Sequence, residues 1–104
     1  MTSLDDRKNA FENKFAHDAE FRFKVEARTS KLLGLWAAEQ MGVTGDEATA
    51  YAGTVVASNL EEAGFADIKR KVRTDFDAKG VTVSDHMIET MIEKFFEDAK
   101  TQLA

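Results

Sequence analysis

The sequence predicts an all-α fold, a small four-helix bundle whose long N-terminal helix has a separable or mobile first part. Three observations carry this. The 104 residues contain no proline, the residue that most often interrupts a helix. The six glycines punctuate the chain rather than crowding into loops. Apolar residues recur at steps of three and four, without the alternation a strand would show.

The first helix starts at Ser3, which reads with Asp6 as a capping box. No glycine follows until Gly34, and Gly42, with Gly45 close behind, is the first credible stop. The densest apolar run lies on this helix, from Lys31 through Leu32, Leu33, Gly34, Leu35, Trp36 and Ala37 to Ala38. A helix that is apolar nearly all round is a buried one, so the single tryptophan is expected in the core. A ligand pocket lined by Trp36 is the less ordinary use of the same residue. Glycine weakens a helix relative to alanine, so Gly34 makes sense where another helix approaches closely.

Thr44 and Glu47 form a second capping box. Ala48, Tyr51, Ala52, Val55, Val56, Leu60 and Ala63 then mark one face of a second helix, which Gly64 ends in the position a C-terminal glycine takes. A shorter third helix runs from about Asp67 to Lys79, with Ile68, Val72 and Phe76 facing inward and Gly80 as its stop. Phe65, in the preceding loop, is placed to plug an end of the bundle. Ser84 caps the fourth helix, with Val83 and Ile88 as a hydrophobic staple. Ile88, Met91, Ile92, Phe95, Phe96, Ala99 and Leu103 form its stripe, the cleanest in the chain.

The first helix is too long for this bundle. From Ser3 to Met41 it would extend about 57 Å, whereas the second and fourth would span only about 28 Å at the same rise. Something must overhang, bend or fold back. Counting about 100° per residue from Phe11, Leu4, Phe11 and Phe15 fall within about 40° of one line, and Val25, Leu32, Leu33 and Trp36 lie near it. Between the two groups the line is occupied by Asp18, Arg22 and Thr29. Two apolar units joined by a polar stretch around His17 to Glu20 follow from that break. The upstream unit is a narrow apolar face among Asp5, Asp6, Arg7, Lys8, Glu12 and Lys14, marginal as an isolated helix. Either it forms in a partner's groove, or Phe11 and Phe15 pack back on the bundle. The chain is thus one domain, 1–104, with residues 1–18 as the mobile segment and 19–104 as the bundle.

Composition excludes several functions. There is no cysteine, hence no disulfide framework and no thiolate metal or redox site. This fits a reducing cytoplasm. No secretory signal is visible, and no apolar run reaches membrane-spanning length. A net charge of −5 argues against a nucleic-acid partner, whose binding would rest on neutralising phosphates. Catalytic patterns are lacking. His17 and His86 sit on different helices without the convergent ligands a metal needs, and no phosphate-cradling glycine loop occurs. The chain reads as a binding protein rather than an enzyme. The basic run Lys69-Arg70-Lys71, with Arg73, is the one phosphate-binding candidate. Its ordinary alternative is a solvated helix face.

Specific blocks then point to a family. Phe11-Glu12-Asn13-Lys14-Phe15-Ala16-His17-Asp18-Ala19-Glu20, Phe23-Lys24, Ala27-Arg28 and Lys31 through Glu39 resemble the zeta-subunit family, small bacterial inhibitors of the F1 ATPase of ATP synthase. The resemblance is strongest from Asp5 to Gly42 and looser at Tyr51-Ala52 and Arg70-Lys71-Val72. It implies a helical bundle, monomeric when free, whose N-terminal region enters a catalytic α/β interface of F1 against the γ subunit and blocks ATP hydrolysis. Leu4, Phe11 and Phe15 would then be apolar anchors, and Arg7, Lys8, Glu12 and Lys14 rim charges that set register. The protein would be cytoplasmic, meeting the membrane only through the F1 sector. Thr29-Ser30 departs from the family, which often carries Arg-Asn there, and so does Gly64 to Ile68. No cofactor is implied, apart from weak adenine-nucleotide binding. The competing reading is a small helical nucleotide-sensing protein that takes ADP or ATP on Lys69, Arg70, Lys71 and Arg73.

Overall fold

The computed structural model describes residues 3–59 and 64–104, with the side chains of residues 19–59 and 64–104. Its helices are α1 (Ser3–Gln40), α2 (Gly45–Asn59), α3 (Ala66–Lys79) and α4 (Asp85–Leu103). The all-α expectation holds: among the described residues every regular element is a helix. α1 contacts each of the other three, α3 contacts α2 and α4, and no Cα of α2 comes within 8 Å of one in α4.

Two of the glycine stops, Gly42 and Gly80, act as expected. Gly42, at φ +76°, lets its amide reach the Glu39 carbonyl at 3.1 Å while the Val43 amide reaches Ala38 at 2.8 Å. Gly80, at φ +71°, repeats the arrangement: its own amide meets Asp77 at 3.3 Å and that of Val81 meets Phe76 at 2.9 Å. Both are Schellman ends, in which a left-handed residue turns the chain back onto the last carbonyls. The Ser84 hydroxyl accepts from the Met87 amide at 3.1 Å and caps α4. α2 begins at Gly45, itself left-handed at φ +64°.

Close approach explains Gly34. A Cβ placed there would lie 2.6 Å from the Ala52 Cα and 3.2 Å from Val55 Cγ2, far inside ordinary contact. α1 and α2 therefore touch nearly backbone to backbone at this point. The core below is built from Leu33, Ala37, Val55, Ile68, Val72, Phe76, Ile88 and Ile92, the stripes read from the sequence. Leu60 and Ala63, assigned to the second stripe, lie outside the described residues.

Two expectations need correction. Trp36 is only half-buried. It meets the edge of Phe76 at 5.7 Å and 72°, and it shares an open cleft of about 400 Å³ with Gln40, Thr82, Val83, Ser84 and Met87. The fully buried positions of this stretch are small or medium, Leu33, Ala37 and Ala38. The indole lies on the α3 side of α1, where this open cleft leaves part of it to solvent. Thr29, in turn, does not interrupt the stripe. It is fully buried, and its hydroxyl donates to the Val25 carbonyl at 2.7 Å. Ser30, equally buried, donates to Glu26 at 2.9 Å. Bonding back to one's own helix lets a hydroxyl enter a core without a missing partner. The inner line of α1 thus runs from Val25 through Thr29 to Leu33, while Ala19, Glu20, Arg22, Phe23 and Lys24 are exposed.

Candidate functional site

Of the two groups of site residues read from the sequence, Leu4, Arg7, Lys8, Phe11, Glu12, Lys14 and Phe15 have side chains outside the described residues, as has His17. α1 carries their backbone, since it begins at Ser3. The described part of that helix first enters the core at Val25.

The second group is α3's basic run. Each cation there already has a carboxylate. Lys69 pairs with Glu89 of α4, and that hydrogen bond raises the lysine pKa. Arg70 meets Asp67 at 2.8 Å and Lys71 meets Asp75 at 2.9 Å. Arg73 spans Asp77 at 2.9 Å and Asp85 at 3.1 Å and donates to the Val83 carbonyl at 2.6 Å. It thereby straps the α3–α4 connection to both helices. A phosphate arriving here would compete with internal acids. A surface cleft of about 280 Å³ does open beside the run, and it presents Ser58, Arg70, Lys71 and Thr74 together with Asp67 and Asp75.

At that cleft the sequence reading missed a cross-helix network. The Tyr51 hydroxyl donates to Asp75 Oδ2 at 2.7 Å, and Lys71 Nζ sits 5.3 Å from the centre of the tyrosine ring while bonding the same carboxylate oxygen. Burial, then the hydrogen bond to Asp75 and its charge, push the phenol well above its ordinary value, so it remains a donor. The signal was half present, because Lys71 and Asp75 are four apart on one helix. That Tyr51 faces them from α2 is a matter of tertiary packing.

A third region also went unremarked. Lys24, Arg28 and Lys31 line a groove of about 350 Å³ with Phe23, Val56 and Leu103. Phe23 is 58% exposed. Helical spacing would have placed the three cations on one face. Elsewhere, His86 is exposed, and among the described residues no cluster of three His, Asp or Glu side chains could hold a metal ion. No helix among them is long and apolar enough to cross a membrane.

Comparison with known proteins bears on this geometry. A chain solved in solution by NMR superposes with a TM-score of 0.70 at 46% sequence identity, over 79% of this chain and 93% of its own. No curated protein matches. The family model described as ATPase inhibitor subunit zeta matches residues 1–102. With the match running from the first residue nearly to the last, the chain belongs to the ATPase inhibitor subunit zeta family.

Proposed function

We propose that this chain is a regulatory inhibitor of the F1 ATPase of ATP synthase, and that it blocks ATP hydrolysis by placing its N-terminal segment in a catalytic α/β interface against γ. The observation that carries the reading is the reach of the family match. It begins at residue 1 and so takes in Leu4 to Asp18, the segment whose apolar face the sequence sets apart. Leu4, Phe11 and Phe15 supply the apolar anchors, which dominate such interfaces when they enter pockets. Arg7, Lys8, Glu12 and Lys14 form the polar rim and fix the register. A wedge in a catalytic interface stops turnover by preventing its closure, so the inhibitor needs no chemistry of its own.

The test is ATP hydrolysis by purified F1 from the same organism, with the full chain and with Phe15→Ala. The chain should inhibit. Loss of one anchor of ~2 kcal/mol should raise the half-inhibiting concentration about 30-fold and leave the thermal unfolding midpoint in place. A large fall in that midpoint would show Phe15 to be part of the core and would sink the proposed insertion.

A second reading rests on the cleft lined by Ser58, Arg70, Lys71 and Thr74, which offers cations and hydroxyls to a nucleotide phosphate. It is secondary because Asp67 and Asp75 already hold those cations. Titration with ADP, followed by amide NMR shifts, tests it. Shifts confined to α3 support it, and none at about millimolar ADP disposes of it.

A further inference from the structure

The cations of the α3 run, Lys69, Arg70, Lys71 and Arg73, are neutralised inside the chain, but those on the outer side of α1 are less fully matched. Lys24, Arg28 and Lys31 follow one another at steps of four and three, which stacks them on one helix face. Glu20 approaches Lys24 only to 3.9 Å, with both side chains exposed. Arg28 donates to the neutral Gln102 Oε1 at 3.0 Å. Lys31 makes no ion pair among the described residues. Like charges at this spacing repel, which offsets what these exposed contacts contribute to folding. The stripe flanks an apolar floor of Phe23, Val56 and Leu103, and most of the Phe23 surface is open to solvent. On a chain of net charge −5, this groove is a local cationic surface with an aromatic centre.

We propose that the groove is a second docking surface, which takes an acidic segment of the same F1 partner, carboxylates grouped around one apolar side chain. The proposal rests on the function given above. Its occupant follows from charge complementarity: three underused cations call for carboxylates, and an exposed phenyl ring on an apolar floor calls for an apolar side chain between them. Position supports the same partner. The groove and the N-terminal segment belong to one helix, α1, and Phe23 follows Phe15 by about 12 Å of helical rise. A partner that holds one is within reach of the other, and two contacts carried on one helix reinforce each other without new chemistry. The carboxylate contacts would steer encounter and set orientation, and salt would weaken them.

The full-length chain carrying Lys24→Glu and Lys31→Glu tests this, and Phe23→Ala provides an independent second variant. Half-inhibiting concentrations are measured on purified F1 at about 20 and 200 mM salt, a range over which screening changes strongly. Charge reversal should raise the half-inhibiting concentration about tenfold at low salt, through slower association. The gap should narrow at high salt, with maximal inhibition unchanged. Phe23→Ala should raise it at both salts. Values within about twofold of wild type at low salt, well below the effect expected of steering charges, overturn the docking surface while leaving the inhibitor reading intact. A wild-type chain that neither inhibits nor binds F1 removes both. Should charge reversal disturb the circular dichroism spectrum, Lys24→Gln with Lys31→Gln removes the charge without inverting it, and the same criteria apply. Sedimentation equilibrium that shows a wild-type dimer and a monomeric variant assigns the groove to a second copy of the chain and overturns the proposal.

Discussion

Replacing Gly34 by alanine adds one methyl group where α1 and α2 are closest. In the native backbone that carbon would stand 2.6 Å from the Ala52 Cα, 3.1 Å from its Cβ and 3.2 Å from Val55 Cγ2. Carbon atoms rest at ~3.5–4.0 Å, so the helices must separate by about 1 Å at this point. The atom in the way is backbone and cannot rotate aside. Overpacking of this kind costs ~1–3 kcal/mol, and a clash with main chain belongs in the upper part of that range. Alanine returns about 1 kcal/mol of helix propensity. The balance is a loss of about 1–2 kcal/mol, or a midpoint lower by roughly 5–15 °C for a domain of this size. Gly53 provides the control. It lies on α2 with nothing within 4 Å of its would-be Cβ, so Gly53→Ala should raise the midpoint by about 4–8 °C from propensity alone. Thermal unfolding followed by far-ultraviolet circular dichroism reads both. If Gly34→Ala melts at or above wild type, the seam is not as tight as the geometry has it, and the argument from close approach fails.

Removing the α4 cap with Ser84→Ala should destabilise the fold by ~1 kcal/mol, read as a lower urea midpoint at constant slope. Tyr51 is the single tyrosine, and burial with its bond to Asp75 raises its pKa. Its stabilising effect is therefore complete below the unfolded value of about 10 and is lost as pH rises above it, where only the unfolded chain gives up the proton. An absorbance titration should show no tyrosinate step near pH ~10 in the folded protein. A normal step there with the helical signal intact would mean that the Asp75 bond does not form. Tyr51→Phe should lose ~0.5–1.5 kcal/mol and leave the α4 contacts unchanged.

The parts of the fold that could be read from sequence are those written locally. The α4 stripe from Ile88 to Leu103, the Ser84 cap and the Gly42 and Gly80 stops each depend on residues within one or two turns, and each is found as read. The α3 ion pairs divide along the same boundary. Asp67, Asp75 and Asp77 stand three or four positions from Arg70, Lys71 and Arg73 and were legible. Glu89 and Asp85 arrive from α4, which no spacing along α3 could announce. Thr29 misled for another reason. A hydroxyl that bonds its own helix is apolar to its surroundings, and one-dimensional patterning counts it as polar. Trp36 misled because apolar density around a helix says nothing about how much room its neighbours leave. Residues 1–18 were set apart only by the charges beside Phe11 and Phe15, and their proposed insertion into F1 came from the family resemblance.

The backbones of α2 and α4 never approach each other, and α1 stands between them. That makes α1 a mast with a stay on either side. A load on its upper end reaches Ala52 and Val55 on one flank and Ile88 and Ile92 on the other, and α3 ties the two flanks together beneath it. Anything that grips the upper end should therefore slow hydrogen exchange on both flanks at once, and the amides from Val25 to Ala38 should be the last in the molecule to exchange.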